Sequence, residues 1–134
     1  MLFESISNFV SRLPMDGRIF QIIELFSQTL GDSWSVERMA AVAAVSPSRF
    51  KHLFKKMVGM PPMAYLLKIR LEAAYDYLTD PLCFLQIQEI RIKCGLKDDS
   101  HFTHDFKKKY GLTPTQCREQ AAEIYQANFK NRQK

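Results

Sequence analysis

The sequence predicts an all-α fold: two helix-turn-helix subdomains, a tandem homeodomain-like arrangement, joined by a long central helix. Three observations predict it. Apolar residues recur at helical spacing along most of the chain, and no stretch alternates apolar and polar residues long enough to make a strand. Residues 50–62 and 102–114 state one phrase twice. Aligned at an offset of 52, seven of thirteen positions coincide: Phe50/Phe102, His52/His104, Phe54/Phe106, Lys55/Lys107, Lys56/Lys108, Gly59/Gly111 and Pro62/Pro114. Third, each copy follows a short helical segment and a turn, which is the order a helix-turn-helix requires.

Leu2, Phe3, Ile6, Phe9, Val10 and Leu13 form the first apolar stripe, which Pro14 ends. A second helix is predicted from about Gly17 to Leu30, through Ile19, Phe20, Ile22, Ile23 and Phe26, with Gly31 as its stop. Ser35 is the N-cap of a helix from Val36 to about Ala44, because a serine hydroxyl accepts a hydrogen bond from the free N–H groups of the first turn. After a turn at Ala44 and Val45, Ser46 caps the next helix. Pro47 stands at its first position, where a missing N–H costs nothing. That helix, to about Val58, carries the first copy of the phrase.

A wide apolar surface (Tyr65, Leu66, Ile69, Leu71, Ala73, Ala74, Leu78) predicts a central helix over 63–79, ended by Asp80-Pro81. At 1.5 Å per residue it is about 25 Å long, a strut suited to holding two reading heads toward major grooves roughly 34 Å apart. Ile87 to Cys94 is the first helix of the second unit. Gly95 turns the chain, Asp98 caps, and the second copy follows, after a turn one residue longer than the first. From Arg118 the chain is helical to about Phe129, with a frayed end at Lys130–Lys134. The expected organisation is an N-terminal helix or linker remnant (1–16), a first helix-turn-helix subdomain (17–62), a central helix (63–80), a second subdomain (81–118) and a basic C-terminal tail (119–134).

Within each phrase the phenylalanines lie four apart, on one helical face, so they anchor the helix to a core rather than stack on bases. The histidine and lysines fall on other faces. The net charge is only +5, from 19 Lys+Arg against 14 Asp+Glu, but its placement is uneven. Between Ser46 and Gly59 stand Arg49, Lys51, Lys55 and Lys56 with no acid, and Lys107, Lys108 and Lys109 form a run in the second copy. Cations clustered on one defined element point to a polyanion, and two such helices read as recognition helices for double-stranded DNA.

Other functions find little support in the residues. Three cysteines (Cys83, Cys94, Cys117) cannot all pair and none stands in a C-x-x-C, which fits a reduced, cytoplasmic chain. No apolar run approaches the roughly 20 residues of a membrane span. There is no H-E-x-x-H, P-loop or G-x-S-x-G, so no enzyme activity and no cofactor are expected. A zinc site would need a third ligand beside His101 and His104, and none has suitable spacing.

The ordered set Val36-x-x-Met39-Ala40, Ser46-Pro47-Ser48, Phe54-Lys55, Gly59, Tyr65, Arg70-Leu71-x-x-Ala74-x-x-x-Leu78, Ile90, Gly95, Ser100-x-Phe102, Phe106-Lys107, Gly111, Pro114 and Arg118 resembles the DNA-binding domain of the AraC/XylS family of bacterial transcription regulators. It covers about residues 17–118. The resemblance implies seven helices in two helix-turn-helix subdomains, whose recognition helices enter adjacent major grooves. It implies base contacts from Ser48, Arg49, Lys51 and His52, and from Ser100, His101, Thr103 and His104, with Lys55, Lys56, Lys107 and Lys108 on the phosphate backbone. It also implies contact with RNA polymerase for activation of transcription, and the DNA-binding part is expected to bind as a monomer over the two successive segments.

Three departures from the family pattern stand out. His52 and His104 replace a usual arginine, so bidentate guanine reading is lost at those places and operator preference should differ. Ala44 replaces a usual glycine in the first turn, putting a Cβ where the backbone prefers positive φ. Arg91 replaces a usual small alanine; it would either loosen the second unit or snorkel and touch a phosphate. Many relatives carry an N-terminal effector-binding domain that 134 residues cannot also hold, so residues 1–13 read as part of a stand-alone regulator or as the remnant of a linker. A helical protein-interaction module, or an architectural or transposition-associated DNA binder, would share these amphipathic helices; only a sequence-specific regulator would prefer one duplex over random DNA.

Overall fold

A computed structural model describes residues 2–133, with side chains from Ser5 onward; the side chains of Leu2 and Phe3, and Lys134, lie outside the described residues. Eight helices and no strand occur among those residues: α1 (Leu2–Ser11), α2 (Met15–Gln28), α3 (Val36–Ala43), α4 (Pro47–Val58), α5 (Pro62–Thr79), α6 (Ile87–Lys93), α7 (Asp99–Tyr110) and α8 (Pro114–Arg132). The all-α expectation holds. The chain forms two compact units that divide between Ile69 and Arg70, inside α5.

The first unit is built around Phe26, Met39, Phe50, Phe54 and Leu66, each essentially inaccessible to water. Burying a side chain of that size contributes about 1.5–3 kcal/mol, so these five supply much of the unit's cohesion. Their rings touch: Phe26 meets Trp34 edge-on at 5.3 Å, and Phe54 meets Tyr65 of α5 at 5.6 Å. α2 ends at Gln28, two residues before the predicted Leu30. Thr29 turns its hydroxyl back onto the Leu25 carbonyl and accepts a hydrogen bond from the Trp34 indole (3.1 Å), which competes with further helix.

α1 belongs to this unit. Val10 is fully buried in the same core, Ser7 donates to the Ala41 carbonyl of α3 (3.2 Å), and the two helices pack together. The Arg18 guanidinium completes the joint by donating to the carbonyls of Ser11 (2.6 Å), Leu13 (2.9 Å) and Ala43 (3.1 Å). α1 therefore packs within the same unit as α2 and α3.

The second unit buries Leu71, Ala74, Leu78, Ile90, Cys94, Leu96, Phe102, Phe106 and Cys117. Cys94 serves as a small apolar side chain, and burial pushes its thiol up to about 11, well away from thiolate chemistry. Tyr110 stacks on Tyr75 at 4.6 Å; burial, with the Glu72 and Asp76 carboxylates nearby, pushes its phenol up to about 12. Arg118 holds the chain before α6 by donating to the Leu85 carbonyl (2.6 Å). α8 starts at a capping box between Thr113 and Gln116 and runs to Arg132, so the helix continues three residues past Phe129 instead of fraying there.

Candidate nucleic-acid interface

Each of the two repeated helices, α4 and α7, is fixed by three devices: a side-chain cap, a buried aromatic pair and a glycine stop. α4 begins with Ser46, whose hydroxyl accepts from the Arg49 N–H (3.2 Å), and α7 begins with Asp98, whose carboxylate accepts from the His101 N–H (2.8 Å). The phenylalanine pairs, Phe50/Phe54 and Phe102/Phe106, are all buried. Gly59 (φ 91) and Gly111 (φ 79) stop the helices in the left-handed region, their N–H groups bonded to the Lys55 and Lys107 carbonyls.

With one face of each helix committed to the core, 100° per residue dictates what the other presents. His52 and His104 lie opposite the buried phenylalanines. Ser48, Arg49, Lys51, His52, Lys55 and Lys56 are all exposed on α4. On α7, Ser100, His101, His104, Lys107 and Lys108 are exposed, while Thr103 is half-buried. Each unit thus gathers its predicted residues onto one solvent-facing surface. α4 presents donors without an acid, whereas α7 also carries Asp99 and Asp105. The His101 ring lies 3.6 Å from the Asp98 carboxylate. That carboxyl is held below the ordinary carboxylate range, chiefly by the hydrogen bond from the His101 backbone.

Lys109, the third lysine of the run, is set apart from its neighbours: its ammonium lies 3.8 Å from Glu72 and 5.5 Å from the Tyr110 ring centroid. Among the described residues no group of three His, Cys, Asp or Glu side chains could hold a metal ion, and no helix is long and apolar enough to cross a membrane.

The two turns begin alike. The Val45 N–H reaches back to the Ala40 carbonyl and the Leu96 N–H to the Arg91 carbonyl, both 3.1 Å or less, closing each first helix with a left-handed residue: Ala44 (φ 57) in one unit, Gly95 (φ 78) in the other. Ala44 is the one non-glycine residue with positive φ among those described, as its sequence position predicts. Between the left-handed residue and the next N-cap lies Val45 alone in the first unit, and Leu96 and Lys97 in the second, the extra residue expected from sequence.

Arg91 makes contacts that neither expectation for it described. Its Nε donates to Gln88 Oε1 (2.8 Å), and its Nη1 donates to the carbonyls of Leu96 (2.8 Å) and Lys97 (2.6 Å). These donors tie the turn together, so Nε and Nη1 are directed to the turn and not outward to a phosphate. Sequence reasoning missed this role, although the Gln88-x-x-Arg91 spacing places the two side chains on one helical face.

Two compact units, each ending a short helix in a left-handed turn and presenting a capped, phenylalanine-anchored second helix, define a helix-turn-helix DNA-binding protein. A helix-turn-helix domain family matches residues 39–120, more than half of the chain. The chain belongs to this family, as a DNA-binding domain of the AraC/XylS type. It is 31% identical over 113 residues to the RCS-specific HTH-type transcriptional activator RclR of Escherichia coli K12, covering 84% of this chain and 39% of that protein. An AraC-type DNA-binding domain-containing regulator from Chromobacterium violaceum superposes with a TM-score of 0.70 at 25% identity, covering 80% of this chain and 94% of that one. The DNA-binding domain of AdpA, solved with a target DNA, shares the fold with a TM-score of 0.72 at 22% identity, covering 82% of this chain and 94% of that one. The chain spans 32–39% of the length of the curated relatives it matches first. The family is one of regulatory DNA-binding domains, not of enzymes.

Proposed function

We propose that this chain is the sequence-specific, double-stranded DNA-binding part of a bacterial transcription regulator, with α4 and α7 each reading a major-groove segment and the two segments adjacent. The observation that carries this reading is the repeated construction of those helices: a buried phenylalanine pair on one side, and on the other an exposed surface of hydroxyl, imidazole and cationic donors. In α4, Arg49 supplies the fork suited to guanine O6 and N7, while Ser48, Lys51 and His52 supply single donors. In α7, Ser100, His101, Thr103 and His104 take the corresponding places. Lys55, Lys56, Lys107 and Lys108 fix position on phosphate and carry no sequence information.

On this reading the DNA-binding part acts as a monomer in the cytoplasm and activates transcription through contact with RNA polymerase. Selection of bound sites from random duplex DNA tests it: the chain should recover a site with two blocks of preferred bases. Affinity for that site should fall by orders of magnitude between roughly 50 and 200 mM salt, and each lysine-to-alanine change at the four phosphate positions should reduce the salt slope by about 1. Binding that does not respond to salt would remove the basic faces from the interface, and equal affinity for random duplex would leave an architectural binder instead.

A further inference from the structure

The second turn is one residue longer than the first, and that added length creates two adjacent carbonyls, Leu96 and Lys97, that no helix accepts into its own ladder. Arg91 gathers both on one nitrogen. Its Nε meanwhile holds Gln88 Oε1, which leaves the Gln88 amide nitrogen free to donate to Asp99 Oδ1 (3.2 Å). Asp99 is the first residue of α7, and Asp98 beside it is the cap. The bonds therefore branch from α6: Arg91 takes both turn carbonyls, and Gln88, which it holds, reaches Asp99, the residue before Ser100.

We infer that Arg91 is a positioning residue for sequence reading by α7: with Gln88, it fixes the pitch and rotation at which the first turn of that helix meets the bases. The assignment rests on the DNA-reading function proposed above. A guanidinium is suited to it because its fixed planar fork can hold three acceptors at once, where a lysine ammonium has no such preset geometry. A reading head has little tolerance, since a base-edge hydrogen bond weakens steeply with angle and distance. Arg91 need not touch DNA to matter. It sets where Ser100 and His101 are.

The test is selection from random duplex DNA with the full chain, in the wild type, Arg91→Ala, Gln88→Glu and Arg49→Ala. Arg49→Ala identifies the block read by α4. Gln88→Glu keeps an acceptor for Arg91 but removes the donor to Asp99, so it cuts the relay while leaving the turn held, and it carries the test if Arg91→Ala fails to fold. The expected result is a loss of about tenfold discrimination in the other block for both Arg91→Ala and Gln88→Glu, with the Arg49-dependent block intact and Gln88→Glu still folded at the assay temperature. Arg91→Lys should restore discrimination only in part. Retention of both blocks in Gln88→Glu overturns the assignment. So does a uniform loss of affinity in Arg91→Ala with a salt slope lower by about 1, which would make Arg91 a phosphate contact. A wild-type chain that selects no consensus overturns the DNA-reading function itself, and the assignment with it.

Discussion

In the first unit a single residue, Val45, separates the left-handed Ala44 from the capping Ser46, and the long side chain at the turn comes from another helix, Arg18 of α2, which holds the Ala43 carbonyl. In the second, Leu96 and Lys97 separate Gly95 from Asp98, and an arginine spans the gap. The same supersecondary element is thus held in two ways. One unit accepts backbone strain in a short turn. The other relaxes the backbone with glycine and a longer turn, then recovers rigidity with a charged side chain. The caps differ in the same spirit: a neutral hydroxyl in the first unit, a carboxylate in the second.

The largest effects should come from what the units share. Phe54→Ala and Phe106→Ala each empty a fully buried site and should cost about 3–5 kcal/mol in chemical denaturation. Amide exchange should place the first loss mainly in α1–α4 and the second mainly in α6–α8. Equal losses everywhere in both variants would break the description of two units. Next come the reading surfaces: Arg49→Ala should cost about 1–3 kcal/mol of binding to the selected site and relax base preference in one block only, measured by titration of single-base variants. His101→Ala should do the same in the other block with a smaller loss, because one donor replaces a fork.

The turns themselves give smaller and opposite responses. Ala44→Gly should stabilise the chain by about 0.5–1 kcal/mol, since it removes a left-handed alanine at the cost of unfolded-state entropy. Gly95→Ala should destabilise by about 1 kcal/mol or more, because it introduces that strain. Thermal or denaturant midpoints decide both, and a destabilised Ala44→Gly would mean that the methyl group compensates for the strain.

The smallest response separates the caps. Asp98 has its folded pKa held below the ordinary carboxylate value, so its contribution is fully present above the unfolded value near 4. It is lost as pH falls through the folded pKa. Exchange protection at the His101 amide should therefore decline in acid, while that at Arg49 under the Ser46 hydroxyl should show no matching step. Asp98→Ser should abolish the difference.

The devices that sequence reading recovered are those whose partners lie within a few residues. Ser35, Ser46 and Asp98 cap helices because a short side chain reaches an N–H three residues ahead in any context. The phenylalanine pairs follow from helical period, and Ala44 from the demands of one turn. What was not legible depends on long side chains with many rotamers and on partners fixed only by the fold. Arg18 finds three carbonyls, one of them 25 residues away, and Lys109 finds Glu72 across two helices. Arg91 stands out as unusual, but neither reading of it, a bulky group in the packing or a phosphate ligand outside it, considers the backbone carbonyls of the following turn as its partners. The end of α2 was misplaced for a related reason: Thr29 is a poor predictor until Trp34 is brought against it.

The joint between α1 and the first unit bears on how such a domain can be moved between proteins. Because Val10 fills the core and Arg18 spends its guanidinium on Ser11, Leu13 and Ala43, a fusion spliced at residue 17 would carry an open core and a cation stripped of two acceptors. The portable cassette starts ahead of α1, and any module joined upstream would connect to a helix already packed on the back of α3.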